Sequence, residues 1–248
     1  MFFQLDKITQ ILSLKADLDR ESIENHEIKI FATNSESYPT RRPSENSILT
    51  IQITVNDVND NPPKFQQERY SVGVSEKDNM KKILLTLVAT DLDLNDIVTY
   101  HLMTDTMIAT GENIEDVKNS AFLVNKENGA LTLNFQLQPS MKGYFDFKVE
   151  ARDLLGDVPG HKDEASVKIY LVAEANRVTF VFLNEVAFVQ SVDSQQVAVI
   201  FSAAYEAECV IDDILATVVN AVAQERLTDV RVHFVKNNEA LDATEILQ

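Results

Sequence analysis

Four of the five residues in Asp57-Val58-Asn59-Asp60-Asn61 end in a carboxylate or an amide, and Pro62 and Pro63 stiffen the exit from the run. Hard divalent cations such as calcium require six to eight oxygen ligands at once. A short extended segment alternating Asp and Asn supplies carboxylates, amide oxygens and backbone carbonyls to ions on either side. Further donors stand elsewhere: Asp19 and Glu21 in Leu18-Asp19-Arg20-Glu21, Asp91, Asp93 and Asn95 in Asp91-Leu92-Asp93-Leu94-Asn95, and Asp153 in Ala151-Arg152-Asp153. Any one of these, taken alone, reads as a solvated turn residue. The chemistry that uses them together is cation binding.

The charge balance points the same way. With 39 acidic and 22 basic residues the chain carries −17, which repels nucleic-acid phosphates and anionic lipid alike and favours a metal cation. His26, His101, His161 and His233 lack zinc-ligand spacing, and a lone cysteine, Cys209, forms no internal disulfide and reads as a buried strand residue. No Gly-x-Ser-x-Gly, CxxC, P-loop or HExxH pattern occurs, so the expectation is a protein that is not an enzyme. No apolar run approaches the roughly 18 residues of a membrane span, so any membrane attachment is expected to run through a segment outside this sequence.

An internal repeat organises the elements that hold these donors. Phe3-Gln4-Leu5-Asp6-Lys7 aligns with Phe122-Leu123-Val124-Asn125-Lys126 at an offset of 119 residues, which continues without a gap and brings Asn34 onto Asp153. That length is a whole domain rather than a solenoid unit. Period-two alternation predicts strands over Ile28 to Ala32, Ile48 to Val55, Tyr70 to Val74, Leu131 to Phe135, Phe145 to Ala151 and Val167 to Leu171. Many short strands without a long amphipathic helix predict an antiparallel sandwich. After Ala175 the pattern changes to β-α-β-β-α: a strand over 176–183, a helix over 189–204 with Val189, Val192, Ile200 and Phe201 near helical spacing, an ambiguous 210–219, a strand over 229–235 and a helix beginning at Leu241. The domains expected are 1–62, an incomplete first copy, 63–175, a complete second copy, and 176–248, a mixed α/β module short of its closing element.

The signatures LDRE at 18–21, DxNDNxP at 57–63, DxD at 91–93 and AxD at 151–153 resemble those of cadherin repeats. The resemblance covers residues 1 to about 175. It implies a mainly β fold of Ig-like Greek-key sandwich repeats, followed by a small α/β, ferredoxin-like membrane-adjacent module. It also implies two to three calcium ions at the linker between the repeats. On that resemblance, the first site would use Asp19, Glu21 and Asp60. The second would use Glu21, Asp57, the Val58 carbonyl, Asp60 and Asp93, and the third Asn59, the Asn61 carbonyl, Asp91, Asp93, the Asn95 carbonyl and Asp153. The second copy departs from the pattern. Leu137-Gln138-Pro139-Ser140 stands where LDRE would, Ala175-Asn176-Arg177-Val178 where DxNDN would, and Glu76, in place of the usual strand-A glutamate, is left without partner ligands. The junction near Ala175 is therefore expected to bind no calcium.

Such a last junction followed by an α/β module is similar to the membrane-adjacent region of long cadherins, those of hair-cell tip links included. Four segments, 129–135, 140–147, 176–182 and 230–234, resemble more closely the insect midgut cadherins, brush-border receptors for the pore-forming Cry toxins of Bacillus thuringiensis. This implies the extracellular part of a single-pass plasma-membrane protein at the apical brush border. Its implied partners are a Cry toxin and other cadherins, with no nucleic acid. A mechanical or adhesive role of the tip-link type is the alternative. Leu131, Leu133, Phe135, Phe145 and Phe147 are expected to face the core, leaving Thr132, Asn134, Gln136, Gln138, Pro139, Ser140, Met141, Lys142 and Gly143 as toxin-binding candidates, beside a strand edge expected to be open.

Overall fold

The computed structural model describes the chain except residues 1, 7, 33–47, 95, 157–159, 185, 192–193, 221–224 and 248. The alignment of Asn34 with Asp153 therefore lies outside the described residues. Two compact units form, Met1–Asn61 with Leu92–Asn95, and Pro62–Asp91 with Asp96–Gln248.

In the first unit β1 (Phe3–Leu5) pairs antiparallel with β2 (Leu12–Leu14), and β3 (Asn25–Phe31) with β4 (Ile48–Thr54). The alternation of Ile28, Ile30, Ile51 and Ile53 suits such a pleated pair. His26 joins the two hairpins, with Phe2 and Phe3 packed edge-on against its ring at 5.4 and 5.5 Å.

The second unit begins with a sandwich. Its strands are β5 (Lys64–Phe65), β6 (Arg69–Val74), β7 (Ile83–Thr86), β8 (Ala89–Thr90), β9 (Thr99–Glu112), β10 (Phe122–Val124), β11 (Ala130–Leu133), β12 (Lys142–Arg152) and β13 (Lys162–Leu171). One sheet runs β10-β11-β7 and the other β6-β13-β12-β9, while β5 pairs with β8. All pairings are antiparallel except that of β6 with β13. The sheets meet through Phe122, whose ring lies 5.1 Å from that of Phe145 and stacks at 5.4 Å on Phe147. Leu131, Leu133, Phe145, Val149, Val167 and Ile169 are fully buried around them. Gly111 and Gly143 face each other in the antiparallel pairing of β9 with β12, both at positive φ, and a Cβ on either would fall 1.9 Å from the opposite strand's carbonyl oxygen.

Two expectations need correction here. The strand predicted from Leu131 ends at Leu133, although Phe135 and Leu137 continue the buried alternation as irregular backbone. The edge expected to be open there is closed, because β11 is the middle strand of its sheet, bonded to β10 on one side and β7 on the other.

The remaining elements are β14 (Arg177–Phe182), α1 (Val186–Ser191), α2 (Ser194–Tyr205), β15 (Glu208–Asn220), β16 (Glu225–Lys236), β17 (Glu239–Ala240) and α3 (Ala243–Ile246). The sheet order is β14-β16-β15, with β17 on β16. The ambiguous 210–219 is thus strand, consistent with its β-branched content. The helix predicted over 189–204 falls on α1 and α2, with 192–193 between them outside the described residues. Val189 is buried and Phe201 stacks 4.3 Å from Phe180, but Ile200 is 64% exposed, because the residue beside Phe201 is turned about 100° away around the helix. Val192 lies outside the described residues. Cys209 is buried as expected, and burial first, with Asp212 nearby, pushes its thiol up to about 12.

Candidate functional site

The turn at Leu18–Ser22 is built by Asp19, whose carboxylate accepts the backbone N–H groups of Glu21 (3.0 Å) and Ser22 (3.3 Å) and the Ser22 hydroxyl (2.6 Å). These bonds, that from the Ser22 hydroxyl above all, hold its carboxyl below the ordinary range. The turn presents Arg20 and Glu21 toward the Asp57–Asn61 run. Arg20 pairs with both Glu21 and Asp57 and donates to the Leu92 carbonyl at 2.6 Å. Asp57 also accepts the Leu94 N–H at 3.0 Å.

Beside this pair, ligand oxygens of Glu21, Asp60 and Asp93 lie within 4.8 Å of one another. Asp93 is buried, and Asn61 fixes it by donating its backbone N–H to Oδ2 at 3.0 Å and its amide Nδ2 to Oδ1 at 2.7 Å. Three carboxylates drawn this close repel one another unless a cation sits among them. Their hardness and number fit calcium, and Arg20 pairs with one of them, Glu21, as well as with Asp57.

The other expected ligands stand as follows. Asn59 and Asn61 are half-buried, and Val58 is exposed, its carbonyl belonging to the same run. Asn95 lies outside the described residues. In the second unit Asp91 is half-buried, and Asp153 is fully buried with Oδ2 3.2 Å from His161 Nδ1. Asp96, passed over in the sequence, has an oxygen within 4.8 Å of one on Asp91 and accepts the Leu154 N–H at 2.7 Å. Its signal was the third acidic residue in Asp91-Leu92-Asp93-Leu94-Asn95-Asp96.

The toxin-binding candidates divide by their surroundings. Thr132 and Asn134 are half-buried and bonded within the repeat, the hydroxyl to Leu123 O (3.3 Å) and the amide to Ser120 O (2.8 Å). Met141 packs against the core, and Gly143 is fixed opposite Gly111. Gln136, Gln138, Pro139, Ser140 and Lys142 are exposed, although the Gln136 amide donates to the Glu76 carbonyl and the Gln138 amide to the Gln136 carbonyl, both at 3.3 Å. The loop carrying them lines a cleft of about 470 Å³, whose other wall includes Tyr170, Asn238 and Glu239.

Compared with known proteins, the chain is 42% identical over 254 residues to Cadherin-AgCad1 of Anopheles gambiae, a match that spans 99% of this chain and 14% of that protein. The chain belongs to the cadherin family. Mouse Cadherin-23 is 27% identical over 194 residues, 74% of this chain and 6% of that relative. Cadherin folds appear among solved structures too. Protocadherin Gamma B2 extracellular cadherin domains 3–6 give a TM-score of 0.56 at 22% identity, covering 73% of this chain and 41% of that one. Mouse Protocadherin-24 EC1–3 gives 0.52 at 22%, covering 74% and 56%. No family model matches. This cadherin chain thus spans only a small part of the length of the curated relatives it matches, and its β-sandwich is that of a cadherin ectodomain repeat.

Proposed function

We propose that this cadherin ectodomain fragment binds calcium through the cluster around Glu21, Asp60 and Asp93 and serves as a receptor region for insecticidal Cry toxins in the insect midgut. The metal reading rests on the convergence of three carboxylates on one point, with Asp93 pinned by Asn61. Glu21, Asp57, Asp60, Asp93 and the Val58 carbonyl would hold one ion, with Asp19 beside them. Asn59, Asn61, Asp91, Asn95 and Asp153 would serve a further one. Bound calcium would take over the neutralisation of Glu21 and Asp57 that Arg20 otherwise supplies.

The receptor reading is carried by the similarity to a mosquito cadherin along nearly the whole chain. The exposed Pro139, Ser140 and Lys142 support it, as does Gln138, which is exposed although its amide donates to the Gln136 carbonyl at 3.3 Å. The module after Ala175, with its β-α-β-β-α order, reads as a ferredoxin-like membrane-adjacent domain, and the similarity to cadherin ectodomains supports an extracellular position for the chain.

The test is affinity for activated toxin, measured with the double variant Gln138→Ala, Lys142→Ala. Weakened binding at unchanged unfolding midpoint supports the reading, and full affinity removes the loop from the site. Leu133→Ala is the control for lost stability, expected to cost about 2–5 kcal/mol because the residue is fully buried.

A further inference from the structure

The junction between repeat and module carries a charge network of its own. Asp212, on β15, has a fully buried side chain whose Oδ1 accepts the backbone N–H of Gly73 on β6 at 2.7 Å and meets His233 Nδ1 at 2.8 Å. Its Oδ2 accepts from Arg177 Nε at 3.2 Å. Arg177 reaches further into the repeat, to the Ser75 hydroxyl (2.9 Å), the Gly73 carbonyl (3.3 Å) and Asp78 (3.3 Å), and along its own segment to Glu174 (3.0 Å). Lys82 of the repeat bridges Asp78 at 2.8 Å and Asp213 of the module at 2.9 Å. Tyr170 and Val172 of the repeat pack with Val210 and Val235 of the module alongside, and the Tyr170 ring lies 5.3 Å from that of His233.

Gly73 itself is the informative residue. It is not among the residues of positive φ, so its backbone makes no demand for glycine. A Cβ there would lie 2.5 Å from Asp212 Oδ1 and 2.8 and 2.9 Å from His233 Cε1 and Nδ1. Both neighbours are fully buried and already bonded, so neither yields as a flexible surface chain would. What excludes a side chain at 73 is the module.

We propose that Gly73 is a docking notch in the last repeat, into which the module seats its Asp212–His233 pair, and that this seat fixes the module on the repeat without a metal ion. The seat also sets the cleft, because one wall comes from the loop 137–143 and the other from Asn238, Glu239 and Ala240. Asn176 secures that second wall, donating to the Leu241 carbonyl at 3.0 Å while its oxygen accepts the Ala173 N–H.

The test is amide hydrogen exchange on the full chain, comparing wild type with Gly73→Ala and Asp212→Ala, each with calcium and with chelator. Gly73→Ala should speed exchange about tenfold or more along β15 near residues 210–213 while the repeat's core strand near Phe145 keeps its protection. Asp212→Ala approaches from the other side, placing nothing new in the repeat, and should release the Gly73 amide by a similar factor. If Gly73→Ala unfolds the repeat as well, the Gly73 amide in Asp212→Ala decides. Unchanged protection there, unchanged exchange of β15 in a folded Gly73→Ala, or loss of junction protection on chelation overturns the proposal.

Discussion

The cluster around Glu21 and the seat around Asp212 gather carboxylates in different company. At Glu21, Asp60 and Asp93 the acids converge with Arg20 as the cation beside them, pairing with Glu21 and Asp57. At Asp78, Asp212 and Asp213 the chain brings Arg177 and Lys82, with His233 and a backbone N–H completing the shell. A protein that supplies its own cations fixes its charge balance permanently. One that leaves acids facing each other hands that balance to the solution. The two regions should therefore answer oppositely to mutation and to metal.

Removing the internal cation should have the largest effect. Arg177→Met takes a guanidinium of 5% side-chain exposure away from the fully buried Asp212, and breaking such a pair from one side costs about 3–5 kcal/mol. A denaturant series on the full chain would measure it. A loss below about 1 kcal/mol would mean that His233 and Gly73 satisfy Asp212 without help.

Calcium comes next. Ions that bind only the folded cluster stabilise it by about 2.7 kcal/mol at a hundredfold excess over Kd. Millimolar calcium should raise the unfolding midpoint of the first unit, and Asp93→Ala should abolish most of the rise. A midpoint insensitive to chelator would contradict the metal reading.

The smallest effect concerns acid. Burial alone would raise the Asp78 carboxyl, yet the bonds from Lys82 and the Ser75 N–H, with Arg177 nearby, bring it below the ordinary range. Glu174 is likewise lowered, against its burial, by bonds from Ser75 and Lys77 and by Arg177. Groups with depressed folded values contribute stability that is fully present above the unfolded value of about 4 and is lost as pH falls through the folded one. The unit should lose stability between neutral pH and the range below about 4, and Asp78→Asn should flatten that dependence. A curve unchanged by Asp78→Asn would remove this carboxylate from the linkage.

The acidic cluster was legible in the sequence because its donors are packed into short runs, LDRE, DVNDN and DLDLND, whose composition already states the chemistry. The seat was not. Gly73, Arg177, Asp212 and His233 are distant in sequence, none is unusual in its local context, and only the fold brings them together. Alternation exposed β12 and β13, whose inward faces run Phe145, Phe147, Val149, Ala151 and Ala165, Val167, Ile169, Leu171 without a polar interruption. It failed on Thr99–Glu112, where Thr and Asp interrupt the apolar positions and the register against β12 slips between Asp146 and Lys148.

The parallel pairing of β6 with β13 sets an order of events. Arg69 to Val74 bond to Ser166 to Leu171, so the first long strand of the repeat to be synthesised waits for the last before its ladder closes. Such distant pairings bear the loop-closure entropy before any bond rewards it and slow folding accordingly. Gly73 lies within that ladder, opposite Tyr170, and its N–H is the donor to Asp212. The module therefore cannot find its seat until the repeat has closed. A nascent chain must complete the sandwich before β14, β15 and β16 have a surface to assemble beside.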